Sequence, residues 1–237
     1  MTDRGATVQV ALIGLFVTAL ITAQLTAAKV LAIDVPVSVP LAGDTLFLPG
    51  AALAYALTFF ASDAYAELYG RRAAQVMVNV GFLLNFVMLA LVWSTIALPA
   101  APTSPVSGAA FAGVLGPSTS IVLGSLGAYL VSQNWDVLVF HWLREATDGA
   151  HLWLRNVGST ATSQLLDTVI FVTVAFAVGP ALLGTAEPLG PGVLAGLIVG
   201  QYVLKLAIAL VDTPFVYAVV GLVNAKNWRA GVPASAE

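Results

Sequence analysis

The chain has 237 residues, 59% of them hydrophobic and only 9% charged, with a formal net charge of −3. Soluble globular chains carry about 25% charged residues, so this composition excludes a water-soluble domain and points to membrane-crossing segments. The absence of cysteine excludes disulfides and thiolate metal sites, and no run of basic residues reaches nucleic-acid-binding strength.

The first apolar stretch, at about 7–32, follows "MTDRGATVQV" and lacks a small-residue cleavage site after a short apolar core. It is therefore expected to be a retained helix and not a signal peptide. Further apolar stretches lie at about 47–66, 73–98, 118–142, 160–183 and 193–223. Each has roughly the 20 residues needed to cross a hydrocarbon core. Long apolar runs of this kind exclude a membrane β-barrel, whose strands would alternate over short segments. The gaps "DVPVSVPLAGD", "YGRR", "PAAPTSPVSG", "REATDGAHLWLRN" and "GTAEPLGPG" collect Pro, Gly and Ser, as connections do. "AAFAGVLGP" at 109–117 is expected to form a short interfacial or re-entrant helix before the fourth span. The fold class is all-α: a polytopic membrane protein with a single six-helix transmembrane domain over residues 1–237.

Orientation follows from the basic residues of short connections. Arg4, Arg71, Arg72, Arg144, Arg155, Lys226 and Arg229 are seven of the nine Lys and Arg residues, and all fall on one side of this six-span arrangement. That side, with both termini, is expected to be cytoplasmic, at a plasma membrane.

The other two, Lys29 and Lys205, fall inside the spans, as do Asp63, Asp136, Asp167 and Asp212. An ionisable group near mid-bilayer costs several kcal/mol, from about 2.5 upwards, unless paired or wetted. All six are expected to point inward. The fourth and fifth spans share the pattern S-Q-x-x-D-x-x-x-F, as "SQNWDVLVF" at 132–140 and "SQLLDTVIF" at 163–171. Helical periodicity groups Gln133, Asp136 and Phe140 on one span, and Gln164, Asp167, Thr168 and Phe171 on the next. An amide, a carboxylate and an aromatic on two antiparallel spans suit a polar pocket for a flat, donor-rich solute better than interhelical glue. Transporters often place such a pocket between inverted repeats, although nine residues are too short to define a repeat fold.

Weaker signals follow. Ala19, Ala23 and Ala27 at four-residue spacing, and Gly124 with Ala128, would let helices approach closely. Pro214 removes a backbone donor inside the sixth span, next to Asp212, and should kink it. Trp93, Trp142, Trp153 and Trp228 sit where belt residues do. His141 and His151 are too few for a metal cluster, and neither a metal nor a cofactor is expected.

Three stretches together resemble the queuosine-precursor transporter family of the wider vitamin-uptake group: "TFFASDAYAELYGRRAA" (58–74), "SQNWDVLVFHWLR" (132–144) and "WLRNVGSTATSQLLDTVIFVTVAF" (153–176). "TAAKV" and the lysine of "QYVLKLAIALVDTPFVY" support it, and the likeness runs from about residue 20 to 220. Gln24 stands where family members usually carry asparagine. The resemblance implies import of a 7-deazaguanine, 7-cyano or 7-aminomethyl, for tRNA modification. Asp136, Asp167, Gln133 and Gln164 would then read the base edge. Lys29 and Lys205 would balance the carboxylates or contact the base carbonyl, Phe140 and Phe171 would cover its faces, and Gln24 and Asp63 would complete the substrate contacts. Asp63 and Asp212 are also candidates for proton coupling.

The expected partners are a nucleobase solute and membrane lipid, with no nucleic acid; self-association or coupling subunits stay open. An alternative is the substrate-binding component of an ATP-driven energy-coupling complex, docking through the alanine face of the first span. The chain has no phosphate-binding loop of its own. An intramembrane protease would pair two aspartates, but the G-x-G-D stretch of such enzymes is missing. No enzymatic activity is expected.

Overall fold

The computed structural model describes residues 4–39, 43–148 and 151–229. Its elements in chain order are α1 (Arg4–Thr26), a hairpin of β1 (Val30–Val39) and β2 (Gly43–Pro49), α2 (Ala52–Tyr69), α3 (Arg71–Ala97), α4 (Gly108–Leu115), α5 (Ser118–Ala146), α6 (Leu152–Thr173), α7 (Gly179–Leu183) and α8 (Pro191–Arg229). A π-helical turn at Val174–Val178 joins α6 to α7. Helix thus dominates.

Among the described residues, five helical segments are long and apolar enough to cross a membrane: Gly5–Thr26, Arg71–Ala97, Gly108–Ala146, Leu154–Leu183 and Pro191–Val223. α2 has 18 residues, about 27 Å at 1.5 Å per residue, and carries Asp63 and Glu67. It falls outside that group. The polarity is that of a chain folded for lipid: α3 exposes Val76, Val80, Leu83, Phe86, Val87 and Leu91, while Asn85 on the same helix is fully buried. Apolar side chains facing outward around a buried amide are what a hydrocarbon solvent selects.

The structure corrects several expectations at span ends. The first span stops at Thr26, not 32, and the second helix starts at Ala52, not 47. Between them the expected loop is an antiparallel hairpin pairing Val30 with Pro49 through Asp34 with Thr45. Thr45 donates a hydrogen bond to Asp34 Oδ1 at 2.9 Å. Its prolines and glycine suggested a turn, yet Val, Leu and Ile at the remaining positions favour strand. The register breaks between Asp34 and Val39, where Pro36 has no donor to give the ladder. Lys29 consequently leaves the first span. It sits exposed between α1 and β1, so the first connection carries one basic residue. The connection between the fourth and fifth spans is also shorter than expected, because α5 runs to Ala146 and α6 begins at Leu152. α4 matches the short helix expected at 109–117. α8 runs unbroken through Pro214.

The chain forms two compact units. One holds α1 to Ala23, α2, α3 to Met88 and α8 from Leu204. Leu12, Phe16 and Leu20, four residues apart on α1, pack with Ala61, Ala64 and Tyr65 of α2 and Ala74 and Met77 of α3. Gln9 Nε2 donates to Tyr65 Oη at 2.9 Å, and Tyr69 Oη donates to the Gly5 carbonyl at 3.1 Å. A Cβ on Gly81 would lie 2.6 Å from a Phe16 ring carbon, so glycine is needed there for α3 to approach α1.

The second unit holds the end of α1, the hairpin, the rest of α3, α4 to α7, and α8 to Val203. Here the hairpin seats on α8. A Cβ on Gly196 would lie 2.7 Å from the Phe47 ring, and one on Gly200 would collide with the Phe47 carbonyl. These two glycines form a notch for β2. Of the expected alanine face, Ala27 is 1% exposed in this unit, and Ala19 and Ala23 of the first unit are 4% and 6% exposed.

Candidate functional site: the α5–α6 seam

α5 and α6 run antiparallel, and their facing residues step along the seam four at a time. A Cβ on Gly179 would meet Ser120 at 2.7 Å, and one on Gly124 would meet Ala175 at 3.1 Å. Small residues draw the backbones together at that end, as expected for Gly124. Two turns further along α5, Ser132 Oγ donates to Asp167 Oδ1 at 3.3 Å. One more turn on, Ser163 Oγ donates to Asp136 Oδ1, also at 3.3 Å. The repeated motif therefore binds itself reciprocally: the serine of each copy holds the aspartate of the other. Ser and Asp are four residues apart in each copy, which puts them on one helical face. In an antiparallel pair this spacing brings each serine level with the opposite carboxylate.

Both serines are buried, at 9% and 5% exposure, and both aspartates are half-buried. Trp135 Nε1 donates to Thr162 Oγ1 at 3.2 Å beside the cross. On the same face of α5, Ser125 accepts from Gln24 Nε2 at 3.3 Å. Gln24 is 3% exposed, and its Oε1 is buried with no hydrogen-bond partner. Gln201 on α8 likewise buries an unpartnered Oε1, while the neighbouring Tyr202 donates to the Ala161 carbonyl at 3.3 Å. An orphaned buried acceptor costs about 1–3 kcal/mol. The second unit thus carries two carboxylates that accept from serines across the seam and two amide oxygens lacking donors. Chemically, the set suits a solute rich in N–H groups.

The sequence that builds this seam has counterparts among known proteins. A family model for vitamin uptake transporters matches residues 49–219, covering both motif copies.

This chain belongs to the vitamin uptake transporter family.

The transporter is 36% identical over 165 residues to a protein of Bacillus subtilis (strain 168) named "Probable queuosine precursor transporter". The match covers 69% of this chain and 68% of that relative. No solved structure matches it. The family transports solutes, and the apolar helices make this transporter a multi-pass membrane protein.

Within the transporter, Asp136 and Asp167 share the seam, but the glutamines of the motif do not join them there. Gln133 is exposed and Gln164 half-buried. Phe140 lies under the guanidinium of Arg155, 5.5 Å from ring centroid to Cζ. Phe171 is buried edge-on against Phe176, with centroids 6.0 Å apart. In the other unit, Lys205 is 6% exposed, with Nζ 5.8 Å from the Tyr55 ring centroid. Asp63 is exposed, contrary to the expectation that every intramembrane charge turns inward, and Asp212 is half-buried with Oδ2 lacking a hydrogen-bond partner. An open hollow of about 610 Å³ at the end of α5, lined by His141, Arg144, Glu145 and Asp148, is exposed and of mixed charge. It offers neither an aromatic face nor a buried acceptor, so the seam is the better candidate.

Sequence reasoning missed Ser132, Ser163 and Gln201 as members of the site. The serines were visible as the first letter of the repeated motif, four residues before each aspartate. Gln201 had a weaker signal, a lone amide one turn before Lys205.

Proposed function

We propose that the chain imports a 7-deazaguanine precursor of queuosine or archaeosine across the plasma membrane, through a polar pocket that includes the α5–α6 seam. In this reading α2 supplies a sixth crossing, and both termini lie in the cytoplasm, following the distribution of basic residues. The observation that carries the substrate class is the 36% identity to the relative named as a queuosine precursor transporter.

The chemistry of the seam supports it. A guanine-like edge presents a ring N–H beside an exocyclic amine, and a carboxylate accepts both in a two-pronged, charge-assisted pair. Asp136 accepts a bond from Ser163 at Oδ1, and a carboxylate has about four acceptor sites. The unpartnered amide oxygens of Gln24 and Gln201 would take further donors. Phe171, on the same helical face as Asp167, would flank the base in this pocket. Lys29, exposed beside the hairpin, would act at its entrance.

The test is uptake of radiolabelled 7-cyano-7-deazaguanine and 7-aminomethyl-7-deazaguanine by the purified chain in liposomes. Saturable uptake, competed by the unlabelled base and not by adenine, is the expected result. Absence of uptake until ATPase subunits are added would favour the energy-coupling alternative.

A further inference from the structure

We infer that Gln24 and Gln201 are specificity-determining residues, whose amide oxygens select a solute carrying a primary ammonium group over one carrying a nitrile at the same position. This rests on the uptake reading above and decides between its two substituted bases.

Both glutamines belong to the second unit and border the base of β2. Gln24 lies two residues before Thr26, whose carbonyl would be 2.5 Å from a Cβ on Gly50, the residue after β2. Gln201 follows Gly200, which packs on the Phe47 carbonyl of the same strand. Phe47 to Gly50 is about 10 Å of extended chain, so the two amides flank one short stretch. Gln24 engages its Nε2 with Ser125 Oγ at 3.3 Å, which turns its Oε1 away from that contact. At 3% and 7% exposure both residues are more than nine-tenths buried, and neither Oε1 has a hydrogen-bond partner. Packing alone does not call for glutamine there, since an apolar side chain of the same length would bury no orphaned acceptor. Two such oxygens point to donors that arrive with the solute. The aminomethyl and cyano bases differ in this respect. A protonated aminomethyl group presents three N–H donors and no acceptor, as a lysine head does, and its bonds to carbonyl oxygens are of the stronger, charge-assisted kind. A nitrile presents an acceptor alone, which would face these oxygens lone pair to lone pair. Charge acts in the same direction: in this unit the charged side chains more than a turn from a helix end are Asp136 and Asp167, both acidic, and they attract a cation.

The experiment is competition against uptake of labelled 7-deazaguanine in proteoliposomes, with 7-aminomethyl- and 7-cyano-7-deazaguanine as competitors. In the wild-type chain the aminomethyl base is expected to compete about ten-fold better, the order of one charge-assisted hydrogen bond. Gln24→Met and Gln201→Met, which keep the side-chain length and remove the acceptor, should each bring that preference below about three-fold, with the KM for 7-deazaguanine little changed. Gln24→Glu and Gln201→Glu, which keep an acceptor oxygen, should hold the preference or widen it; Ser125 can turn its hydroxyl proton toward a carboxylate at position 24. Where a Met variant fails to give a single size-exclusion peak, the Glu variant carries the test, and a preference below wild type would count against the inference. Equal or better competition by the cyano base in the wild-type chain would overturn it. A wild-type preference surviving in either Met variant would overturn the assignment of that residue. If 7-deazaguanine itself is not taken up, the uptake reading fails and the selectivity falls with it; if it is taken up and neither competitor is preferred, only the selectivity falls.

Discussion

Replacing Asp167 by asparagine removes one charge from the seam with almost no change of shape. The amide oxygen still accepts from Ser132, 3.3 Å away, so the α5–α6 contact is preserved and only recognition is perturbed. Hydrogen bonds to a charged group contribute about 1.5–3 kcal/mol, or roughly 10- to 150-fold in affinity at 1.4 kcal/mol per decade. The asparagine NH₂ would also turn a donor toward a donor-rich edge, so the upper half of that range is the expectation. The assay is the KM for labelled 7-deazaguanine uptake in liposomes, with reconstituted protein quantified in each preparation. Asp136→Asn, in the reciprocal environment of Ser163, should lose a similar factor. If one base is held by both carboxylates, the double variant should lose less than the product of the two single losses, since groups sharing a partner are not additive. KM values for both single variants within two-fold of wild type would refute the assignment.

Further outcomes follow from the packing and from the charged residues of the first unit. Gly200→Ala drives a methyl into the Phe47 carbonyl; the overpacking should cost about 1–3 kcal/mol, read as a lower melting temperature in detergent. Gly124→Val, where even a Cβ lies 3.1 Å from Ala175, should splay the seam and lose uptake at every substrate concentration, which a kinetic series would separate from a KM effect. Lys205→Met retains the stem and removes the charge facing Tyr55, a contact of about 0.5–2 kcal/mol. It should reduce uptake while expression, followed by size-exclusion chromatography, is maintained. Finally, if Asp63 or Asp212 carries a coupling proton, an imposed inward pH gradient should drive accumulation above equilibrium, and Asp212→Asn should abolish the excess; equal accumulation with and without the gradient would rule this out.

Much of this was legible along the chain because the bilayer imposes a one-dimensional constraint. A run of about 20 apolar residues has few alternatives to a helix in hydrocarbon, so the helices at α1, α3, α5, α6 and α8 could be placed from composition. The expense of burying Asp136 and Asp167 marked them as candidate pocket residues for the same reason. Span ends were less secure. Residues 30–32 and 47–49 are apolar enough to read as the ends of the neighbouring helices, yet they pair as strands, and that pairing moved Lys29 from the first span to the connection. Strand pairing depends on a partner segment, which local pattern does not report.

What the sequence determined by itself was the solvent of this protein, the order of its long apolar helices, and the recurrence of one polar motif in two of them. What only the tertiary structure decided was which members of that motif meet. Gln133 and Ser132 both fall within a helical turn of Asp136 and on nearly its face, and periodicity cannot choose between them. The choice belongs to the facing helix: with α6 antiparallel, in the register fixed by the close approach of Gly124 to Ala175, each serine comes level with the opposite aspartate and the glutamine at 133 is turned outward. Register between helices is a long-range property, set by packing small against small, and no single helix encodes it alone.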